Sequence, residues 1–215
     1  MKRCLIVGAG GWGREVLSWA LQLRQTEWEI AGFLNSDPDS LKGKNIPYPI
    51  LGDPASWMPA PDEVFLAGLG DPAPRLSVCN GLKSRGARFV TLIHPSVIQG
   101  LNVEIGEGCV ISPNAVVSAN AKLEPFVMVN IAATLGHDCH IGEGTTVSCH
   151  VDVMGHVKVG AGCFLGSHAC ILPGKKVGDR AIVGAGSAVV RNVAAETTVM
   201  GVPAQVLAAS RKGSD

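Results

Sequence analysis

From residue 105 onward the chain carries an aliphatic residue at every sixth position. The series runs Ile105, Ile111, Val117, Leu123, Val129, Leu135, Ile141, Val147, Val153, Val159, Leu165, Ile171, Val177, Val183, Val189 without a break. Four residues after each aliphatic stands a small or β-branched residue in most units, such as Ala115, Ala121, Ala133, Thr145, Val151 and Val157. The residue directly after it is often glycine, as at Gly106, Gly136, Gly142 and Gly160. A helix repeats at 3.6 residues and a strand at 2, so neither holds this register over ~90 residues. A six-residue period predicts a parallel β-helix: one short strand and one turn per unit, three units per 18-residue coil. Ile105 to Ala194 would supply five coils; Ile93 extends the register backwards, with Gln99 its one failure. Residues 18 apart then stack at a strand spacing of about 4.8 Å. His137 falls beside Gly155, Asp138 beside His156, and His150 beside His168. No insertion interrupts the units, so no long loop can close a pocket within one subunit, and a deep site is expected between subunits.

The first ~90 residues have a different rhythm. Short apolar runs at Cys4–Val7, Trp28–Leu34, Glu63–Ala67 and Arg88–Leu92 read as strands, with a shorter one at Tyr48–Leu51. Val16, Leu17, Ala20 and Leu21 mark one face of a helix, and Leu76–Arg85 a second helix. Alternating β and α segments predict a parallel sheet flanked by helices. The expected organisation is an α/β, Rossmann-like domain over residues 1–92, then a β-helix with a C-terminal tail over residues 93–215.

Composition narrows the function. The 215 residues carry equal numbers of acidic and basic side chains, which argues against a nucleic-acid or anionic-membrane partner. Only 17 % are charged and 5 % aromatic, while Gly accounts for 27 residues, which suits tightly wound β structure more than a helical bundle. The start has too short an apolar run for a signal peptide, and no run reaches the length of a membrane span. Seven cysteines without a CxxC pair read as reduced thiols in a cytosolic protein. Cys109, Cys139 and Cys163 fall in the small inward slot and are expected to be packing residues. Lys175 breaks that slot, by a bulge at Pro173-Gly174 or by reaching outward.

Gly8, Gly10 and Gly13 form G-x-G-x-x-G between a strand and a helix, where backbone N–H groups and the helix N-terminus can approach phosphate. The place where an NAD site wants an acidic residue holds Asn35 and Ser36, and the half is too short for a full dinucleotide fold. A nucleotide-sugar pocket and a purely structural tight turn both remain open. Five of the six histidines lie between 137 and 168. Turn positions tolerate polar residues, so each has a bland reading. His137 is followed by Asp138, a carboxylate that raises the basicity of an imidazole beside it. Zinc held by three histidines, as in a γ-carbonic-anhydrase-like enzyme, is a further alternative around His137, His140, His150 and His168, though no triad is fixed.

The glycine-rich turn, Phe33-Leu34-Asn35, Gly68-Leu69-Gly70-Asp71, Leu92-Ile93-His94-Pro95-Ser96, Gly136-His137-Asp138 and Met200-Gly201-Val202-Pro203-Ala204 together resemble a known family. It is that of the hexapeptide-repeat sugar acetyltransferases, in particular the sialic-acid O-acetyltransferases (NeuD-like) and the UDP-4-amino-sugar N-acetyltransferases. The resemblance covers nearly the whole chain. It implies a left-handed β-helix, a cytoplasmic homotrimer with sites between subunits, acetyl-CoA as co-substrate, no metal, and a role in polysaccharide biosynthesis. It further implies that His137 is the general base supported by Asp138. Gly10, Gly11, Trp12, Asn35, Ser36 and Gly70 would then line the nucleotide-sugar pocket, and Thr146, Gly155, Ser167 and Ala185 would meet acetyl-CoA. Trp12 and Thr146 depart from relatives that carry histidine there. The competing expectation from another class is a non-catalytic trimer that only binds nucleotide-sugar or CoA.

Overall fold

The computed structural model describes residues 1–24 and 26–207. The expected C-terminal tail lies outside the described residues from position 208 on. The chain opens with β1 (Lys2–Val7), α1 (Gly11–Ala20), β2 (Trp28–Leu34), β3 (Ile50–Gly52), β4 (Glu63–Ala67) and α2 (Pro72–Ser84). The four strands form one parallel sheet in the order β3-β2-β1-β4. Strands β1, inside the sheet, and β4, at its edge, both carry fully buried aliphatic and aromatic runs, as strands covered on both faces do. Helix α2 begins four residues earlier than expected. Pro72 occupies its first turn, where a missing N–H costs nothing, so the proline opens the helix.

The segment Arg88–Leu92 is not a strand of this sheet. Phe89 makes a single parallel bridge to Phe65 on the edge strand, and Leu92–Ile93 belongs instead to the β-helix.

From Leu92 the chain winds as a left-handed parallel β-helix with three faces. The first face runs from Leu92–Ile93 to Thr198–Met200 and ends with an antiparallel Gln205–Val206. The second runs from Ile98–Gln99 to Ala188–Val189, the third from Glu104–Ile105 to Lys176–Val177. Of the periodic aliphatics only Ile105, on the first coil, is not fully buried, because nothing stacks beneath it. Gln99 lies on the same open end and is exposed, so the failure of the repeat costs no core contact. The last coil is 16 residues, since Val183 pairs with Val199 and Val177 bridges Val193. The strict period therefore ends at Val189 rather than carrying through to Ala194.

Turn geometry explains the polar places in the repeat. Every sixth residue from Asn102 to Gly186 has φ between +54° and +70°. This left-handed conformation suits Gly and is tolerated by Asn, Asp and His. Cys109, Cys139 and Cys163 are buried in the inward slot, where desolvation raises their thiols; Cys109 and Cys139 are pushed up to about 12. Lys175 does not cause a bulge. Its carbonyl still accepts from Lys158 at 3.0 Å and the next pair, Lys158 and Lys176, is in register, while the side chain stays half exposed.

The small sheet and the β-helix share a core. Val110, Phe126 and Met128, on the outside of the first face and its corner, are buried with Phe65, Phe89 and Leu92. At this joint Gly144 is obligatory, because a Cβ there would come within 2.5 Å of Leu76 on α2.

Candidate active site

The corner between the second and third faces carries His137 and Asp138. Gly136 and His137 turn the chain, and Asp138 takes the left-handed conformation at φ 57°. This projects its carboxylate outward beside the imidazole, with His137 Nδ1 2.7 Å from Asp138 Oδ2. Asn120, one coil away, donates from Nδ2 to Asp138 Oδ1 at 3.1 Å. Those two bonds, that from His137 first, hold the Asp138 carboxyl below the usual carboxylate range. An ionised carboxylate only accepts hydrogen bonds, so His137 Nδ1 carries the proton. In the neutral imidazole with that tautomer, Nε2 carries the lone pair that a general base requires.

Gly155 lies under this ring. A Cβ on residue 155 would sit 2.6 Å from His137 Nε2 and 2.8 Å from Cε1, so only glycine admits the imidazole. The Gly155 carbonyl accepts from Gly174, and its N–H has no acceptor among the described residues. A free N–H beside a basic nitrogen is the arrangement that stabilises an oxyanion formed next to a proton acceptor. His156 completes the corner, its ring edge-on to His137 at a centroid separation of 4.9 Å. His137, Asp138 and His156 are the one group of three metal-capable side chains among the described residues, with ligand atoms within 4.8 Å of one another. No such group forms around His150 and His168, whose rings lie face to face at 4.8 Å with an interplanar angle of 9°. Two parallel rings do not converge on one ion. His140 is taken up by Glu124, 2.8 Å away on the outside of the third face.

The residues expected to hold nucleotide-sugar gather at the carboxyl edge of the small parallel sheet. Gly10, Gly11 and Trp12 follow β1 at the start of α1, Asn35 and Ser36 follow β2, and Gly70 follows β4. This is where open α/β sheets bind ligands. Gly8 and Gly13 are structural: a Cβ on Gly13 would lie 1.9 Å from the Gly8 carbonyl oxygen. Gly10 is different, with nothing within 4 Å of an added Cβ. Helix α1 has no side-chain cap and no acidic residue in its first turn. Asn35 latches the turn by accepting from the Ala9 N–H at 3.1 Å. Asn35 and Ser36 also line a cleft of ≈ 360 Å³ with Pro38, Leu51 and Asp53.

Thr146 is placed differently from the expected acetyl-CoA strip. It is buried on the first face, donates to the Gly70 carbonyl at 2.7 Å and accepts from Arg75 at 2.9 Å. Its side chain is thus committed to the joint. Ser167 and Ala185 stack on the corner between the first and second faces, at the opposite edge of the second face from His137. One chain does not bring them together with Gly155.

Sequence reasoning missed Arg75. It is fully buried, and its guanidinium donates to the carbonyls of Leu69, Gly70, Phe126 and Gly144. Burial lowers it to about 10, still protonated at neutral pH. An arginine in a helix is ordinarily solvent-facing, and no local pattern signals that this one reaches carbonyls on the β-helix at Phe126 and Gly144 as well as the nearby Leu69 and Gly70.

A glycine-rich α/β edge joined to a hexapeptide β-helix with a His-Asp corner defines an acyltransferase architecture. Residues 3–82 match the family model described as the PglD N-terminal domain. Residues 138–173 match the bacterial transferase hexapeptide model, and residues 156–191 the hexapeptide repeat of succinyl-transferase. The chain thus carries a PglD-type N-terminal domain and hexapeptide repeats, and it is homologous to sugar acetyltransferases. It is 29 % identical over 184 residues to the GDP-perosamine N-acetyltransferase of Escherichia coli O157:H7, covering 84 % of this chain and 82 % of that one. The acetyltransferase domain of PglB from Neisseria gonorrhoeae, solved with acetyl coenzyme A, superposes with a TM-score of 0.88 at 28 % identity, over 96 % and 99 % of the chains. PerB from Caulobacter crescentus, solved with CoA and GDP-perosamine, gives 0.87 at 27 % identity, over 97 % and 98 %.

Proposed function

We propose that the protein transfers the acetyl group of acetyl-CoA to the amino group of a nucleotide-activated sugar. The observation that carries this is His137, with Nδ1 turned to Asp138 and Nε2 beside Gly155, whose N–H has no acceptor among the described residues. The relatives named above support the substrate classes. The phosphates of the nucleotide would lie over the Gly10–Trp12 turn, and Asn35, Ser36 and Gly70 would flank the base or sugar. The amine nitrogen attacks the thioester carbonyl while His137 Nε2 takes its proton. The Gly155 N–H receives the oxyanion, the C–S bond then breaks, and the proton passes from His137 to the departing sulfur. Asp138 stabilises the imidazolium formed in between.

Ser167 and Ala185 stand on a different corner from His137, which favours a site shared by neighbouring subunits. A closed homotrimer would bring the two kinds of corner together, with CoA lying between them. Such an enzyme would act in the cytoplasm, where acetyl-CoA is supplied, and feed polysaccharide biosynthesis.

The test is thiol release from acetyl-CoA with a panel of GDP-, UDP- and dTDP-linked amino-sugars. Turnover with at least one 4-amino-sugar nucleotide is expected, and none with the matching 4-hydroxy sugar nucleotides run as controls. His137→Ala should lower kcat by roughly 10²–10⁴ with acetyl-CoA affinity little changed. A folded His137→Ala protein with kcat within a few-fold of the unaltered enzyme would overturn the assignment of the base.

A further inference from the structure

The left-handed turn residue repeats on each corner once per coil, and the corner that holds Asp138 is polar along its length. Asn102, Asn120, Asp138 and His156 occupy successive coils at 18-residue spacing. Their side chains form a directed ladder. Asn102 Nδ2 donates to Asn120 Oδ1 at 3.2 Å, and Asn120 Nδ2 donates to Asp138 Oδ1 at 3.1 Å. Asn120 thus accepts from the coil before and donates to the coil after, and the ladder ends on a carboxylate, which can only accept. On the other side His156 stands over the pair, Nδ1 3.9 Å from Asp138 Oδ2 and ring edge-on to His137.

We infer that Asn120 and His156 are positioning residues that clamp the Asp138 carboxylate, and through it the His137 ring, from the two neighbouring coils. The inference rests on the reading of His137 as the base. With Oδ1 held by Asn120, the carboxylate cannot rotate to offer both oxygens elsewhere, and Oδ2 remains aimed at His137 Nδ1. The edge-on His156 ring limits the swing of the imidazole away from Gly155. All four groups are exposed side chains on turns, where rotamer freedom would otherwise blur the geometry. A displacement of about 1 Å is already costly to catalysis.

A double-mutant cycle tests this. Asn120→Ala should lower kcat by about 3- to 10-fold and leave both KM values unchanged, because a bond to a charged group is lost without touching substrate. In an Asp138→Asn background the same change should cost less than about 2-fold, since the group it positions is gone. His156→Ala should behave in the same way. In parallel, the ¹⁵N resonance of His137 Nδ1 should move in Asn120→Ala and in His156→Ala protein without substrates. Equal losses in both backgrounds, or an unmoved His137 resonance, would overturn the clamp. The resonance reports on the clamp whether or not His137 is the base, whereas a fully active His137→Ala enzyme would count against the base alone.

Discussion

At the scale of single residues, one absent side chain matters as much as the imidazole. Gly155 makes room for His137, and its N–H has no acceptor among the described residues. Gly155→Ala should therefore fold, since the Cβ meets the end of one exposed ring rather than backbone. It should also push Nε2 out of line and lower kcat by roughly 10- to 100-fold. Circular dichroism and steady-state kinetics on the same preparation check both halves of the expectation. Phe126 shows the opposite case. A bulky residue at φ 59° is strained. It is held there because its ring packs edge-on against Phe89 at 5.0 Å and its carbonyl accepts from Arg75.

Among the elements, the short connection from β1 to α1 and the helix α2 have separable tasks. The added Cβ at Gly10 meets nothing, so Gly10→Leu would fill the space above the α1 N-terminus without disturbing the turn. It should weaken nucleotide-sugar binding at least 10-fold and leave acetyl-CoA binding nearly unchanged, which calorimetry on each ligand can read. Equal loss of both affinities would refute the division of labour between the two halves. Helix α2 carries Arg75 into the joint. Arg75→Ala leaves several buried carbonyls and the Thr146 hydroxyl short of donors, and should destabilise the protein by roughly 3 kcal/mol or more. Urea unfolding followed by tryptophan fluorescence checks it, since all four tryptophans precede residue 60.

For the molecule as a whole, the open question is assembly. The β-helix has no insertion to cover its own corners, and Ile182, Met200, Val202 and Val206 remain exposed near its far end. We expect a homotrimer of about three times 22.3 kDa by light scattering. A stable and fully active monomer would remove the basis for a shared site. No helix among the described residues is long and apolar enough to cross a membrane.

Much of this was legible in the sequence, and for a definite reason. A β-helix repeats one local environment, so the period of six, the inward aliphatics and the 18-residue stacking of His137 on Gly155 follow from the order of residues alone. The strands Trp28–Leu34 and Glu63–Ala67 were equally plain, since a buried parallel strand is a continuous apolar run. Tertiary structure decided what depends on contacts between unlike parts. Arg88–Leu92 has the composition of a strand, yet Phe89 faces Phe126 and Leu92 joins the β-helix, because the shared core outweighs local propensity. Thr146 is given to an acetyl-CoA strip by the resemblance alone; the docking of α2 against the first face engages its hydroxyl with Arg75 and Gly70. Periodicity specifies the inside of the β-helix; which outward positions meet solvent, a neighbouring helix or a catalytic partner is settled only when the two halves pack together.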